Sequence, residues 1–439
     1  MVKKTFSIIF ICFLTILTVF CPITASAYEV TGVDISAKAG MLISLDTEEI
    51  LFEKNINQKV YPASITKIMT AVLMLESKKF NPEAKIKINQ SCLDVVLGTG
   101  LSVSLLQKGE ELTHLDLLYT VLLSSYGDCT YLAAEYFGGS YENFVKMMND
   151  KAKALGLTGT HYSNPVGLHE EETYTTVKDT YILTKHALQY ELFKTVTSAS
   201  RYKITTTKGT TRTLSTTNFL LDKSTNYWYQ YASGVKTGFT DAAGRCLVST
   251  ASYNGYNYMC ILFGCTNSLS KRYDFYESKE LYRWAFNNFS YKEVANSDEP
   301  VCEIPVELSM ETDFVSLYFK KPFSTILPNG ADQSTLVIKN SFISETVDAP
   351  IKKGDVLGKA EVYYAEKKIG TVDLVAGNDV EKSDLLMMAR AFENFFSSSY
   401  MKIIYAVIII AVLIFIFFFF YINRGRKRRK VRYIPYDKE

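Results

Sequence analysis

The segment Ile403–Ile422 carries no charged residue, and this feature constrains the chain more than any other. A run of that length spans the hydrocarbon core of a bilayer as a helix. The unbroken apolar block Phe415–Phe420 does not suit a core helix of a soluble domain. Arg424, Arg426, Lys427, Arg428, Arg429, Lys430 and Arg432 follow at once. Basic residues stay on the cytoplasmic side. The expectation is therefore one transmembrane helix over 401–422, a cytoplasmic tail over 423–439, and everything before residue 400 outside the cell membrane. The formal net charge of +2 hides this asymmetry and says little about partners. Beside a span, a basic cluster is a topology signal rather than a nucleic-acid site.

The other end is also apolar. Lys3 and Lys4 precede the run Phe6–Ile23, and Ala25-Ser26-Ala27 fits a small-x-small cleavage site. Residues 1–27 read as a signal peptide, with the mature chain starting near Tyr28. Of the eight cysteines, Cys12 and Cys21 lie in that leader; Cys92, Cys129, Cys246, Cys260, Cys265 and Cys302 remain. They form no CxxC pair, and several sit in apolar runs where a buried free thiol is expected. His114, His161, His169 and His186 have no metal-ligand spacing, so neither metal nor cofactor is expected.

Between the two apolar ends the pattern changes once. Ala39–Leu45 and Glu49–Glu53 read as a hairpin turned by Asp46-Thr47-Glu48. A helix is expected to begin near Ser64, and Ser91–Ser104 reads as a loop or short strands beside a cleft. Helical periodicity runs from Leu112 to Leu155 and again over Thr175–Ala187. Lys203–Leu220 suits β-structure, and Gly234–Phe239, Arg245–Ala251 and Tyr258–Gly264 read as successive strands. Leu269–Phe289 is helical again. Helices inserted between hairpins indicate an α+β domain with an antiparallel sheet, over 28–292. Alternating short apolar runs from Asn296 to Ala376 indicate a small all-β domain over 293–378, with 379–400 as a linker or amphipathic helix.

The chemistry centres on Ser64 and Lys67 in Tyr61-Pro62-Ala63-Ser64-Ile65-Thr66-Lys67. At this spacing the two side chains share one helix face. A serine hydroxyl becomes a nucleophile when a base lies within hydrogen-bond reach, and a lysine serves if burial keeps its amine neutral. S-x-x-K recurs by chance, but two partners follow in order: Ser125 in Ser125-Tyr126-Gly127-Asp128, and Lys236-Thr237-Gly238 on a strand opened by Gly234. A cation and a hydroxyl on one strand suit a substrate that ends in a carboxylate, and Gly238 lets a ligand lie along that strand.

This ordered set is that of penicillin-binding proteins and serine β-lactamases. The wording of Tyr61–Ala71, Met148–Ala152, Leu155–Leu168 and Gly234–Gly244 resembles the D-alanyl-D-alanine carboxypeptidases, the low-molecular-mass penicillin-binding proteins of serine peptidase family S11. The resemblance runs from about Met41 to Phe289, and less specifically through the β-rich domain. It implies a transpeptidase-like domain in which Ser64 attacks the carbonyl between two terminal D-alanines of a peptidoglycan stem peptide. Lys67 would be the general base, and Ser125 would relay the proton. Lys236 would supply positive charge to the cleft, the Thr237 hydroxyl would hold the substrate's carboxylate, and the backbone N–H groups of Ser64 and Phe239 would form the oxyanion hole. β-Lactams would acylate the same serine. Arg272 is a candidate for further charge toward the carboxylate. Asp128 reads as a local packing or capping residue. A D,D-endopeptidase, a β-lactamase and a weak wall-binding protein are the alternatives, although no E-x-x-L-N stretch follows the second motif to speed deacylation. One departure stands out: where the family has Ser-x-Asn, Gly127 occupies the Asn position. The expectation is a slow enzyme whose acylation would rise in Gly127→Asn if the missing amide is what limits it.

Overall fold

The computed structural model describes residues 35–332, 335–364 and 366–426. Residues 1–27, read from the sequence as a signal peptide, and most of the basic tail lie outside the described residues. The chain divides into two units: one runs to Lys292 and takes in Thr325–Ala331; the other comprises Glu293–Ser324 and the chain from Asp332 onward.

The first unit is built on a five-stranded antiparallel sheet. Its strands are β1 (Ala39–Ser44), β2 (Ile50–Lys54), β7 (Ala232–Thr240), β8 (Gly244–Tyr253) and β9 (Tyr256–Cys265), in the order β2-β1-β9-β8-β7. Two hairpins are inserted, β3 (Lys85–Lys87) with β4 (Glu111–Thr113) and β5 (Arg201–Thr205) with β6 (Thr211–Ser215). Strand alternation splits the core in two. Met41, Ile43, Val248, Met259 and Ile261 face a large helical layer. Leu42, Leu51, Leu247, Cys260 and Leu262 face the other side, where helix Tyr273–Asn288 brings Phe275, Leu281 and Tyr282.

In the helical layer, α1 (Lys67–Glu76) is buried along nearly its whole length, which its apolar all-round sequence requires. It does not begin at Ser64. A short 3₁₀ turn, Ala63–Thr66, precedes it, because Ala63 takes a left-handed φ of 47° and breaks the α geometry. The stretch Ser91–Ser104 differs from expectation as well: Gln90–Asp94 (α2) is a helix capped by the Asn89 side chain. The long helical pattern resolves into α3 (His114–Leu122), α4 (Gly127–Gly138) and α5 (Tyr141–Ala154). Thr113 and Asp116 close a capping box at the start of α3, and Gly139 ends α4 in a left-handed turn. α6 (Val177–Ala187) starts on the Thr176 cap, and α7 (Glu191–Ser198) was not foreseen from periodicity.

The second unit holds a six-stranded sheet of β10 (Pro300–Glu307), β11 (Phe314–Phe319), β12 (Leu336–Phe342), β13 (Val347–Asp348), β14 (Val356–Tyr364) and β15 (Lys367–Ala376). Its core gathers Ile304, Val315, Leu317, Ala360 and Leu374. Helix Asp384–Ser397 follows, then helix Ser399–Arg426. Ser399–Asn423 has a mean hydropathy of 3.3 with none of it buried, long and apolar enough to cross a membrane. All six described cysteines are free thiols.

Candidate active site

The 3₁₀ turn carrying Ser64 is clamped from two sides. On one side β7 passes so close that a Cβ on Gly238 would stand 3.1 Å from the Pro62 carbonyl oxygen and 3.2 Å from the Ser64 nitrogen. On the other, the loop Asn164–Gly167 presses on Ala63: a Cβ on Gly167, whose φ is +79°, would lie 1.8 Å from the Ala63 oxygen. Only glycine permits the Gly167 approach, and the Gly238 one is tighter than nearly all Cβ contacts. The second contact orients the site, because it brings the Val166 carbonyl onto the Lys67 amine at 2.8 Å. The same amine donates to Ser64 Oγ at 3.0 Å.

Lys67 is fully buried. Burial pushes its amine down to about 7, with the Asp128 carboxylate pulling in the opposite direction. A lysine that loses its proton near neutrality, and lies in hydrogen-bond contact with a serine hydroxyl, meets the geometric and electrostatic requirements of a general base. Asp128 is itself buried; it accepts from the Ser104 amide at 3.0 Å, the Ser104 hydroxyl at 2.5 Å and the Cys129 amide at 2.9 Å. It thus ties the segment before α3 to α4, as local packing requires, and supplies negative charge beneath Lys67.

Ser64, Ser125, Thr237, Gly238, Phe239 and Arg272 line one cleft of about 390 Å³. Ser125 reaches it from a tight corner before α4, where its φ is +61°, a strained value for a residue with a Cβ. Thr217 N donates to the Leu123 carbonyl, and Ser124 Oγ donates to that of Ser215, holding the corner against β6 and the segment after it. Lys236 is not on the cleft surface: it is 1% exposed, and its amine donates to the Thr237 carbonyl at 3.0 Å. Burial, and after it the Lys67 charge, push that amine well below the ordinary lysine range. The Thr237 hydroxyl donates to Thr217 Oγ1 at 2.6 Å.

Several cleft residues were not singled out from sequence. Leu101 and Thr217 stand in segments with no motif, and Val166, which meets Lys67 behind the cleft, acts through its carbonyl, which any residue carries. Arg245 directly follows the Gly234–Gly244 stretch. Leu101 explains the departure at Gly127. A Cβ there would meet Leu101 Cδ1 at 3.0 Å, Leu101 Cβ at 3.1 Å and Val96 Cγ1 at 3.4 Å. Apolar side chains therefore pack directly on Gly127, where the family has an Asn side chain.

Residues 24–267 match the D-alanyl-D-alanine carboxypeptidase family, peptidase S11. The chain belongs to this family. Residues 289–382 match the C-terminal domain of penicillin-binding protein 5. The D-alanyl-D-alanine carboxypeptidase DacF of Bacillus subtilis is 29% identical over 80% of this chain and 87% of its own length. DacC of Escherichia coli is 28% identical over 87% and 95%. Among solved structures, penicillin-binding protein 5 from Haemophilus influenzae superposes with a TM-score of 0.63 at 27% identity, covering 81% of this chain and all of that one. The Streptomyces K15 DD-transpeptidase gives 0.55 at 28%, covering 59% of this chain. The chain is accordingly a serine-type hydrolase of the carboxypeptidase family, with a transpeptidase-like α+β domain, a small β-rich domain and one candidate membrane-anchoring helix.

Proposed function

We propose that the chain removes the terminal D-alanine from peptidoglycan stem peptides ending in D-Ala-D-Ala, through an acyl-enzyme on Ser64. The observation that carries this reading is the buried, near-neutral Lys67 amine in contact with the Ser64 hydroxyl. Lys67 takes the Ser64 proton as Oγ attacks the scissile carbonyl. The backbone N–H groups of Ser64 and Phe239 receive the negative charge that develops on the carbonyl oxygen. Ser125, across the cleft, passes the proton to the departing D-alanine nitrogen. Thr237 and Gly238 give the substrate a strand edge and a hydroxyl, with Lys236 beneath and Arg272 at the cleft's far side. Water then cleaves the ester and restores Ser64. β-Lactams present a strained amide with a carboxylate beside it, so they acylate the same oxygen and remain.

The catalytic domain spans 28–292 and the β-rich domain 293–378, with a linker over 379–400. The membrane helix holds both outside the cell, and the basic tail 423–439 lies in the cytoplasm, a reading supported by the charge asymmetry around the span. The test of the activity is mass spectrometry of a pentapeptide incubated with the enzyme and its Ser64→Ala variant, alongside labelling by a fluorescent penicillin. Loss of one alanine and one covalent adduct are expected for the wild type and neither for the variant. Full labelling of Ser64→Ala would sink the assignment.

A further inference from the structure

A second hollow, of about 440 Å³, opens on the face of the first unit's sheet that carries helix Tyr273–Asn288. The segment leading into β7 supplies one wall, with Trp228, Tyr229 and Tyr231. Tyr253, at the end of β8, and Phe286, near the end of the helix, supply the other. The rings pack on one another at steep angles. Tyr231 lies 4.3 Å from Tyr253 and 6.0 Å from Phe286, and Tyr253 meets Phe286 edge-on at 5.6 Å. Trp228 and Tyr253 nevertheless remain 36% and 38% exposed. Open aromatic faces of this kind suit the C–H faces of sugar rings, whose partly positive hydrogens meet the negative π surface. Gln230 and Asn287 add amide groups, which pair with hydroxyls as donor or acceptor.

The charges of the hollow are of one sign. Lys279 and Arg283 line it, and no acidic side chain does among the described residues. They stand four positions apart on the helix, where like charges are neighbours and destabilise it. Burial, and then the Arg283 charge, push the Lys279 amine down, with the Glu280 carboxylate opposing. Arg283 Nη1 donates to Glu280 Oε1 at 2.7 Å, but the Arg283 side chain is 52% exposed, so water screens that pair. The Lys279 amine donates to the Trp228 carbonyl at 3.1 Å, which ties the helix to the aromatic wall. An ammonium has three N–H groups, so two remain for a ligand. The fold thus keeps two cations together at the hollow, an arrangement that a bound anion would relieve.

We propose that this hollow is a non-catalytic subsite for an acidic saccharide chain, the sugar strand of the peptidoglycan whose stem peptide enters the cleft. The aromatic rings take the sugar faces, and Lys279 with Arg283 takes a carboxylate carried on the strand. The wall residue Tyr231 runs directly into β7, the strand that carries Thr237 and Gly238. From Tyr231 to Gly238 the chain covers roughly 20 Å at the rise of an extended strand. Polymer bound in the hollow is therefore held beside the cleft without touching the reacting atoms. The inference rests on the reading of the chain as a stem-peptide carboxypeptidase, but sugar binding is measurable without turnover.

The test titrates the full-length enzyme, by calorimetry, with peptide-free glycan strands that carry lactyl carboxylates. An uncharged chitin oligosaccharide and poly(glycerol phosphate) are the comparison ligands, and thermal melting is the folding control. The glycan strands should bind, and the chitin oligosaccharide about tenfold more weakly. Trp228→Ala and Tyr253→Ala should each weaken the strands by about tenfold, as loss of an aromatic anchor does. Lys279→Gln with Arg283→Gln should remove the preference for the acidic strand. Binding should also change the tryptophan fluorescence, because Trp228 faces the hollow while the chain's other tryptophan, Trp284, is buried. Turnover of a free pentapeptide and penicillin labelling should be unaltered in all these variants, while the lower KM expected for a glycan-linked pentapeptide is lost in Trp228→Ala. Undiminished strand binding in folded Trp228→Ala and Tyr253→Ala overturns the proposal, and so does binding of poly(glycerol phosphate) alone. Strand binding through Trp228 in an enzyme that releases no D-alanine upholds the sugar site and overturns the carboxypeptidase reading instead.

Discussion

Gly127→Asn restores the side chain that the family carries, and the structure predicts that it slows the enzyme. The benefit of the amide would be one hydrogen bond near Lys67, worth about 0.5–1.5 kcal/mol, or up to about 3 if the lysine is charged. The cost comes from Leu101. A Cβ at position 127 sits 3.1 Å from Leu101 Cβ, so a change of Leu101 rotamer cannot relieve the contact. The backbone around Leu101 must move, and it is held by the Gly127 amide donating to the Ser102 carbonyl at 2.7 Å. Gly100, Leu101 and Ser102 all line the cleft, so the displacement reaches the substrate. Overpacking of this kind costs about 1–3 kcal/mol before the rest of the Asn side chain is placed. Where cost meets benefit, acylation is expected to fall by about 3- to 30-fold rather than rise. The assay is the second-order rate of acylation by a fluorescent penicillin in Gly127→Asn, Leu101→Ala and the double variant. Because the two positions touch, the effects should be non-additive, with Leu101→Ala recovering much of the loss in the Asn background. A single Gly127→Asn variant ten times faster than wild type would refute the packing argument and restore the missing amide as the limitation.

Two further outcomes are expected. In the proposed mechanism the free Lys67 amine is the working form, so penicillin acylation should rise with pH through an apparent pKa of about 7 and level off above it. Asp128→Asn removes the negative charge that favours protonated Lys67, so the rising limb should move to lower pH; a limb that stays in place would detach Lys67 from this titration. For topology, protease added to intact cells should digest the chain before residue 400 and spare an epitope placed after Glu439, and loss of that epitope without permeabilisation would reverse the orientation.

Much of the arrangement was legible because it rests on local rules. The membrane helix follows from an uncharged run, since charge in a bilayer is costly wherever the rest of the chain lies. Strand alternation in Ala39–Ser44 marks both faces of the central sheet, and the order Ser64, Lys67, Ser125, Lys236 names the groups proposed to react. Tertiary structure decided what those groups experience. Lys67 is fully buried by the helical layer and the Gly167 loop, and the Val166 carbonyl that holds it is ninety-nine positions away. Lys236 reads as a cleft cation in sequence, yet folding buries its amine. Gly127 reads as a missing amide until Leu101 is seen packed upon it. Burial, charge pairing and close contact each depend on segments far apart in sequence, and for that reason no local pattern encodes them.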